Sequence, residues 1–158
     1  MNKTFRILWV EDDPAIITSG LAAFRREASL QKIGLNFDLA GSRESADEKL
    51  RSEEYHCILL DLSLPDSKCD ETIDWITTLG DDCPPVIVLS NYVSPDGKDT
   101  TDDNEARSMS PYWRAIYNGA EATFRKQDAL AQPAALLLCM RAEVLKRYRH
   151  AAKTAQAL

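Results

Sequence analysis

"CILLDLSLPD" (Cys57–Asp66) runs four apolar residues straight into an acid and then turns at Pro65. A short apolar run bounded by turn residues is the pattern of a strand buried on both faces. Removing a carboxylate from water costs several kcal/mol unless a partner offsets it. The stretch therefore raises a question of chemistry: what makes an acid tolerable at the end of so apolar a strand?

Outward from this strand, strand and helix signals alternate. "FRILWV" (Phe5–Val10) is a β-rich run that ends in Glu11, Asp12 and Asp13. Pro14 suits the first turn of a helix, where its missing N–H would be unpaired in any case. Ile16, Ile17, Leu21, Phe24 and Ala28 then recur at helical spacing. "LNFDLA" (Leu35–Ala40) alternates like a strand, and Ser42 can cap a helix with Ser45, Ala46 and Leu50 on its inner side. Beyond the central stretch, a helix containing Ile73, Trp75, Ile76 and Leu79 ends near Gly80, a residue suited to a left-handed stop. "PPVIVLS" (Pro84–Ser90) reads as the fourth strand and "EATFRK" (Glu121–Lys126) as the fifth.

Between those two strands, residues 91–111 are turn-rich and acidic, and predict a long loop before the helix "YWRAIYNGA". The last helix is expected from about Pro133, with the Leu136–Leu138 cluster in the core. Lys146, Arg147, Arg149 and His150 crowd its C-terminal end, where cations suit the helix dipole. Residues 150–158 read as a helix tail or the start of a linker.

The totals limit the function classes. The chain has 158 residues, 44% hydrophobic and 28% charged, which fits one soluble domain rather than a disordered chain. A formal net charge of −6 argues against general nucleic-acid binding, and no apolar run approaches the ~20 residues needed to span a bilayer. Cys57, Cys69, Cys83 and Cys139 are widely spaced and read as small hydrophobes in a reducing cytoplasm.

Alternation of apolar strands with helices implies an α/β, doubly wound parallel sheet with helices on both faces. Right-handed crossovers then place every strand's C-terminal end along one edge. Glu11, Asp12, Asp61, Ser90 and Lys126 follow four of the five strands, so they converge if the first strand lies between the second and third. Converging carboxylates repel one another unless a cation sits among them, and an all-oxygen cluster suits Mg²⁺. A hydroxyl and an ammonium facing it can hold a phosphoryl group.

In order, "ILWVEDDP", "CILLDLSLPD", "PVIVLSN" and "GAEATFRK" resemble the receiver domain of bacterial response regulators over about residues 4–150. The resemblance implies a CheY-like, flavodoxin-like (βα)5 domain with sheet order 2-1-3-4-5, extended by the acidic insert. It implies that Asp61 is the phosphoacceptor and that Ser90 and Lys126 contact the phosphoryl oxygens. It further implies that the backbone N–H groups of Leu62 and Asn91 complete the phosphate cradle, and that Mg²⁺ is held by Glu11, Asp12, Asp61 and the backbone carbonyl of Ser63. A cytoplasmic phosphorelay protein follows, with a histidine kinase or histidine phosphotransfer protein as donor and an output protein or output domain as target. It would catalyse only its own phosphorylation and dephosphorylation. Thr123 stands where the family often has a switch aromatic, Gln127 where proline usually follows the lysine, and Cys69 where glycine is common. These departures bear on how phosphorylation is read out. A phosphorylation-independent binding scaffold is the alternative, and a Mg²⁺-dependent phosphohydrolase a third reading.

Overall fold

The structure, a computed structural model, describes residues 4–80, 82–91 and 110–156, with side chains as far as 153. Five strands form one all-parallel sheet in the order β2-β1-β3-β4-β5. They are β1 (Thr4–Val10), β2 (Gly34–Ala40), β3 (Cys57–Leu60), β4 (Val86–Leu89) and β5 (Ala122–Phe124). The helices are α1 (Pro14–Leu30), α2 (Arg43–Ser52), α3 (Cys69–Thr78), α4 (Pro111–Tyr117), α5 (Lys126–Ala131) and α6 (Pro133–Gln156).

Every residue of β3 and β4 is buried, as their unbroken apolar runs require. Side chains alternate across the sheet and build two cores. On one face Leu8, Val10, Ile58, Leu60, Val86 and Val88 pack against α2, α3 and α4 through Ala46, Ile73, Trp75 and Ala115. On the other, Ile7, Trp9, Leu59, Ile87 and Leu89 pack against α1, α5 and α6 through Phe24, Ala129, Leu136 and Met140. Strand β3 lies between β1 and β4 with both faces covered, which explains why its sequence does not alternate.

The helix ends follow their local chemistry. Asp13 caps α1, its Oδ1 accepting from the N–H groups of Ala15 (2.8 Å) and Ile16 (3.3 Å). Ser42 and Ser45 form a reciprocal capping box on α2. Past α3, Gly80 takes a φ of 77°, which an L side chain rarely adopts.

Three expectations need correction. Lys126 does not extend β5; it opens the short helix α5. Pro133 explains why α5 stops where it does, since proline disfavours helical geometry in the residue before it, and Gln132 is extended out of the helix at φ −132°, ψ 67°. Pro111 begins α4 instead of closing the loop. Leu138 is 56% exposed, whereas Leu136 and Leu137 are buried at 0% and 1%. At 100° per residue, three consecutive leucines cannot all face one core. Most of the acidic segment 91–111 lies outside the described residues, and the helix of the expected tail runs on to Gln156.

Candidate functional site

The acids sit where strands stop, and the sheet fixes their backbones. One residue past β1, the N–H of Glu11 donates to the carbonyl of Ala40 at 2.9 Å. One residue past β3, the N–H of Asp61 donates to Val10 at 2.9 Å, and past β4 that of Ser90 donates to Phe124 at 3.0 Å. Each side chain therefore leaves the sheet edge from a backbone still tied to its neighbour strand.

Glu11, Asp61, Ser90 and Lys126 are all buried, at 1%, 3%, 0% and 6% exposure. Asp12 is exposed, and one carboxylate oxygen each from Glu11, Asp12 and Asp61 lie within 4.8 Å of one another. The Lys126 ammonium lies between the two buried acids, donating to Asp61 Oδ2 at 2.8 Å and standing 2.7 Å from Glu11 Oε2. Glu11 Oε2 is buried, and the Lys126 ammonium is the group that faces it among the described residues. Its other oxygen accepts from the N–H of Asp13 at 3.1 Å. Burial pushes the Glu11 carboxyl above the usual carboxylate range, and the Asp61 charge adds to this while Lys126 pulls the other way. For Lys126, burial works against the ammonium, but its pairing with Asp61 and Glu11 outweighs this and raises its pKa.

The chain beyond Asp61 is anchored at several points. Leu62 is fully buried and Ser63 exposed. Leu64 and Ser67 bond each other's backbones, and buried Thr72 bonds Ser67 Oγ at 2.8 Å. Asp66 accepts from the N–H groups of Arg43 and Glu44, each at 2.9 Å, and so ties this loop to the start of α2. That strap was not read from the sequence; its only trace is an acid in the turn after Pro65, facing a helix start that needs acceptors.

Glu11, Asp12, Asp61 and Lys126 are thus brought together as the sequence suggested, with Ser90 on the strand next to Asp61's. Asp13 is turned away into its capping role. The donor set suits a hard divalent cation: three carboxylates, all oxygen, two of them buried and sharing a single ammonium.

No protein-family model and no curated protein matches the sequence. Solved structures of receiver domains match it over most of their length. The receiver domain of the Francisella response regulator 1452 aligns at TM-score 0.66 and 13% identity, covering 91% of this chain and 99% of that one. The signal receiver domain of the putative Luxo repressor protein from Vibrio parahaemolyticus aligns at 0.62 and 20%, covering 92% and 97%. The response regulator domain of Thermotoga maritima CheB aligns at 0.62 and 19%, covering 90% and 97%. The chain has the CheY-like receiver fold, and its acid cluster lies at the edge of the sheet where that fold gathers its strand ends.

Proposed function

We propose that the chain is a phosphoryl-accepting signalling module that takes its phosphoryl group on Asp61. The observation that carries this reading is the Lys126 ammonium between buried Glu11 and Asp61, with Asp12 completing a three-carboxylate cluster. A carboxylate oxygen of Asp61 attacks the phosphorus of a phosphohistidine on a histidine kinase or phosphotransfer protein. The new P–O bond forms as the P–N bond breaks, and the departing imidazole nitrogen takes up a proton. Lys126 holds a phosphoryl oxygen, Ser90 donates its hydroxyl to another, and the N–H groups of Leu62 and Asn91 cradle the group. Glu11, Asp12, Asp61 and the Ser63 carbonyl would hold Mg²⁺, which when bound neutralises charge on the acids and the phosphoryl oxygens. The product is an acyl phosphate, reversible by hydrolysis, so the protein acts on itself and turns over no other substrate.

The signal is read by an output protein or domain. Trp113 and Tyr117, 52% and 83% exposed, lie on α4, the helix that follows the segment after Ser90. A cytoplasmic location belongs to this reading; among the described residues, no helix is long and apolar enough to cross a membrane. The phosphorylation-independent scaffold is favoured instead by the readout positions, where Thr123 stands for the usual aromatic and Gln127 for the usual proline. Incubation with acetyl phosphate and Mg²⁺, followed by intact mass, separates the readings. A stable phosphoryl adduct absent from Asp61→Asn supports the module, no adduct supports the scaffold, and steady phosphate release supports a phosphohydrolase. An adduct retained by Asp61→Asn refutes the assignment of Asp61.

A further inference from the structure

The last helix has two apolar faces. Leu136, Leu137, Met140 and Val144 point into the core at 0–3% exposure. Opposite them, Ala135, Leu138, Ala142, Leu145, Arg149 and Ala152 recur at alternating steps of three and four residues, the spacing of a two-helix coiled-coil seam. All are exposed except half-buried Leu145, and Leu138 is 56% exposed. A furrow of about 680 Å³ lies beside the C-terminal half of this ridge, from Ala142 and Leu145 to Arg149 and Lys153, with the acids Glu121 and Glu143 also in its lining.

The ridge is also cationic. Arg141, Lys146 and Lys153 flank it and Arg149 lies within it, while α6 carries a single acid, Glu143, in a chain of net charge −6. Glu143 pairs with Lys146 at 3.0 Å and is only 19% exposed. The helix dipole explains cations in the last turn alone, which accounts for Lys153 but not for Arg141, Lys146 or Arg149.

We propose that this ridge is a docking seam for an amphipathic helix of a partner protein with acidic flanks. Leucines alternating with alanines offer knobs and holes to a facing helix. A second copy of α6 is a poor occupant. Paired in parallel, Arg141 would meet Lys146 and each Arg149 its counterpart; paired antiparallel, the lysines would meet each other. A membrane is also a poor occupant, because Leu138 and Leu145 are the only large aliphatics on the ridge and would bury too little. Phosphate backbones would meet the acidic remainder of the chain. A partner helix with apolar seam residues, Glu or Asp beside them and an acid facing Arg149 satisfies every group.

The test uses the full chain and a fluorescent peptide of about three heptads with Leu in the seam, Glu on both flanks and Glu opposite Arg149. Fluorescence anisotropy should show binding that weakens as salt rises. Leu138→Asp and the double variant Arg141→Glu/Arg149→Glu should each weaken it by about tenfold or more. Both substitutions lie on an exposed surface, so circular dichroism melts should match wild type. A peptide with Lys flanks should bind at least about tenfold more weakly than the Glu-flanked one. The proposal is overturned by failure of the acidic peptide to bind, by equal binding to Leu138→Asp, or by equal binding of the Lys-flanked peptide. Binding to phosphatidylglycerol vesicles in preference to the peptide, or a wild-type dimer that Leu138→Asp dissolves, overturns it as well.

Discussion

Gly20 lies in the middle of α1, where glycine costs roughly 1 kcal/mol relative to alanine, so it needs a reason. The reason is Trp9. A Cβ placed on Gly20 would lie 2.3 Å from Trp9 Cη2, 3.1 Å from Cζ3 and 3.3 Å from Leu130 Cδ2. Carbon contacts are comfortable at roughly 3.5–4.0 Å, so the indole must retreat by more than an ångström. It has nowhere to go: Trp9 is 0% exposed and packed against Phe24 at 5.4 Å and Phe37 at 6.1 Å between ring centres. Overpacking of this kind costs roughly 1–3 kcal/mol, and the closeness of the contact puts Gly20→Ala near the upper end. Less the helix gain of about 1 kcal/mol, the variant should be destabilised by about 1–2 kcal/mol, a fall of roughly 2–8 °C in melting temperature. In a Trp9→Leu background the obstruction is gone and the sign should reverse, with alanine now stabilising by up to about 1 kcal/mol. Trp9 suits this cycle because its buried Nε1 has no hydrogen-bond partner among the described residues, so replacing the ring breaks no hydrogen bond. Urea unfolding of the four proteins should give a coupling energy of about 2–3 kcal/mol. Additive effects within about 0.5 kcal/mol, or a wild-type background stabilised by alanine, would refute the socket.

Two further predictions concern the charged networks. Lys126→Met keeps most of the side-chain volume but leaves Glu11 and Asp61 facing each other, so stability in EDTA should fall by roughly 2–4 kcal/mol, and millimolar Mg²⁺ should restore more in the variant than it adds to wild type, as read from melting curves. Equal Mg²⁺ effects would show that the ammonium and the cation do not answer to the same acids. Tyr55 donates to Asp38 Oδ2 at 2.9 Å, and burial together with that bond pushes its phenol up to about 12 from 10.0. Because the folded value is the higher one, its contribution is fully present below about pH 10 and lost as pH rises towards 12. Wild type should therefore exceed Tyr55→Phe by about 1–2 kcal/mol at pH 8, and the gap should narrow above pH 10; a constant gap in urea titrations contradicts the bond.

Much of this molecule is written locally. Four apolar runs each ending in a polar group, Pro14 and Ser42 at helix starts, and Gly80 after α3 are signals carried by neighbouring residues, and the structure places strands and helices at them. Parallel topology follows from the alternation, which puts the strand ends on one edge; that Glu11, Asp12, Asp61 and Lys126 converge there depends on the order 2-1-3-4-5, which the resemblance implied and the sheet has. Less was legible where packing decides. Four residues lie between the end of β5 and Ala129, and no periodicity reveals that they turn into α5, because a helix of under two turns leaves almost no pattern.

The sequence by itself thus determined the succession of strands and helices, the apolar character of the centre and the presence of acids at the strand ends. These depend on which residues are adjacent in the chain and on which faces must be dry. Only the tertiary structure decided that Lys126 sits between Glu11 and Asp61, that Gly20 makes room for Trp9, and that Leu138 faces outward beside two buried leucines. Each of those outcomes depends on distances between atoms far apart in the chain. They are fixed by strand register and helix rotation, which no local pattern of residues specifies.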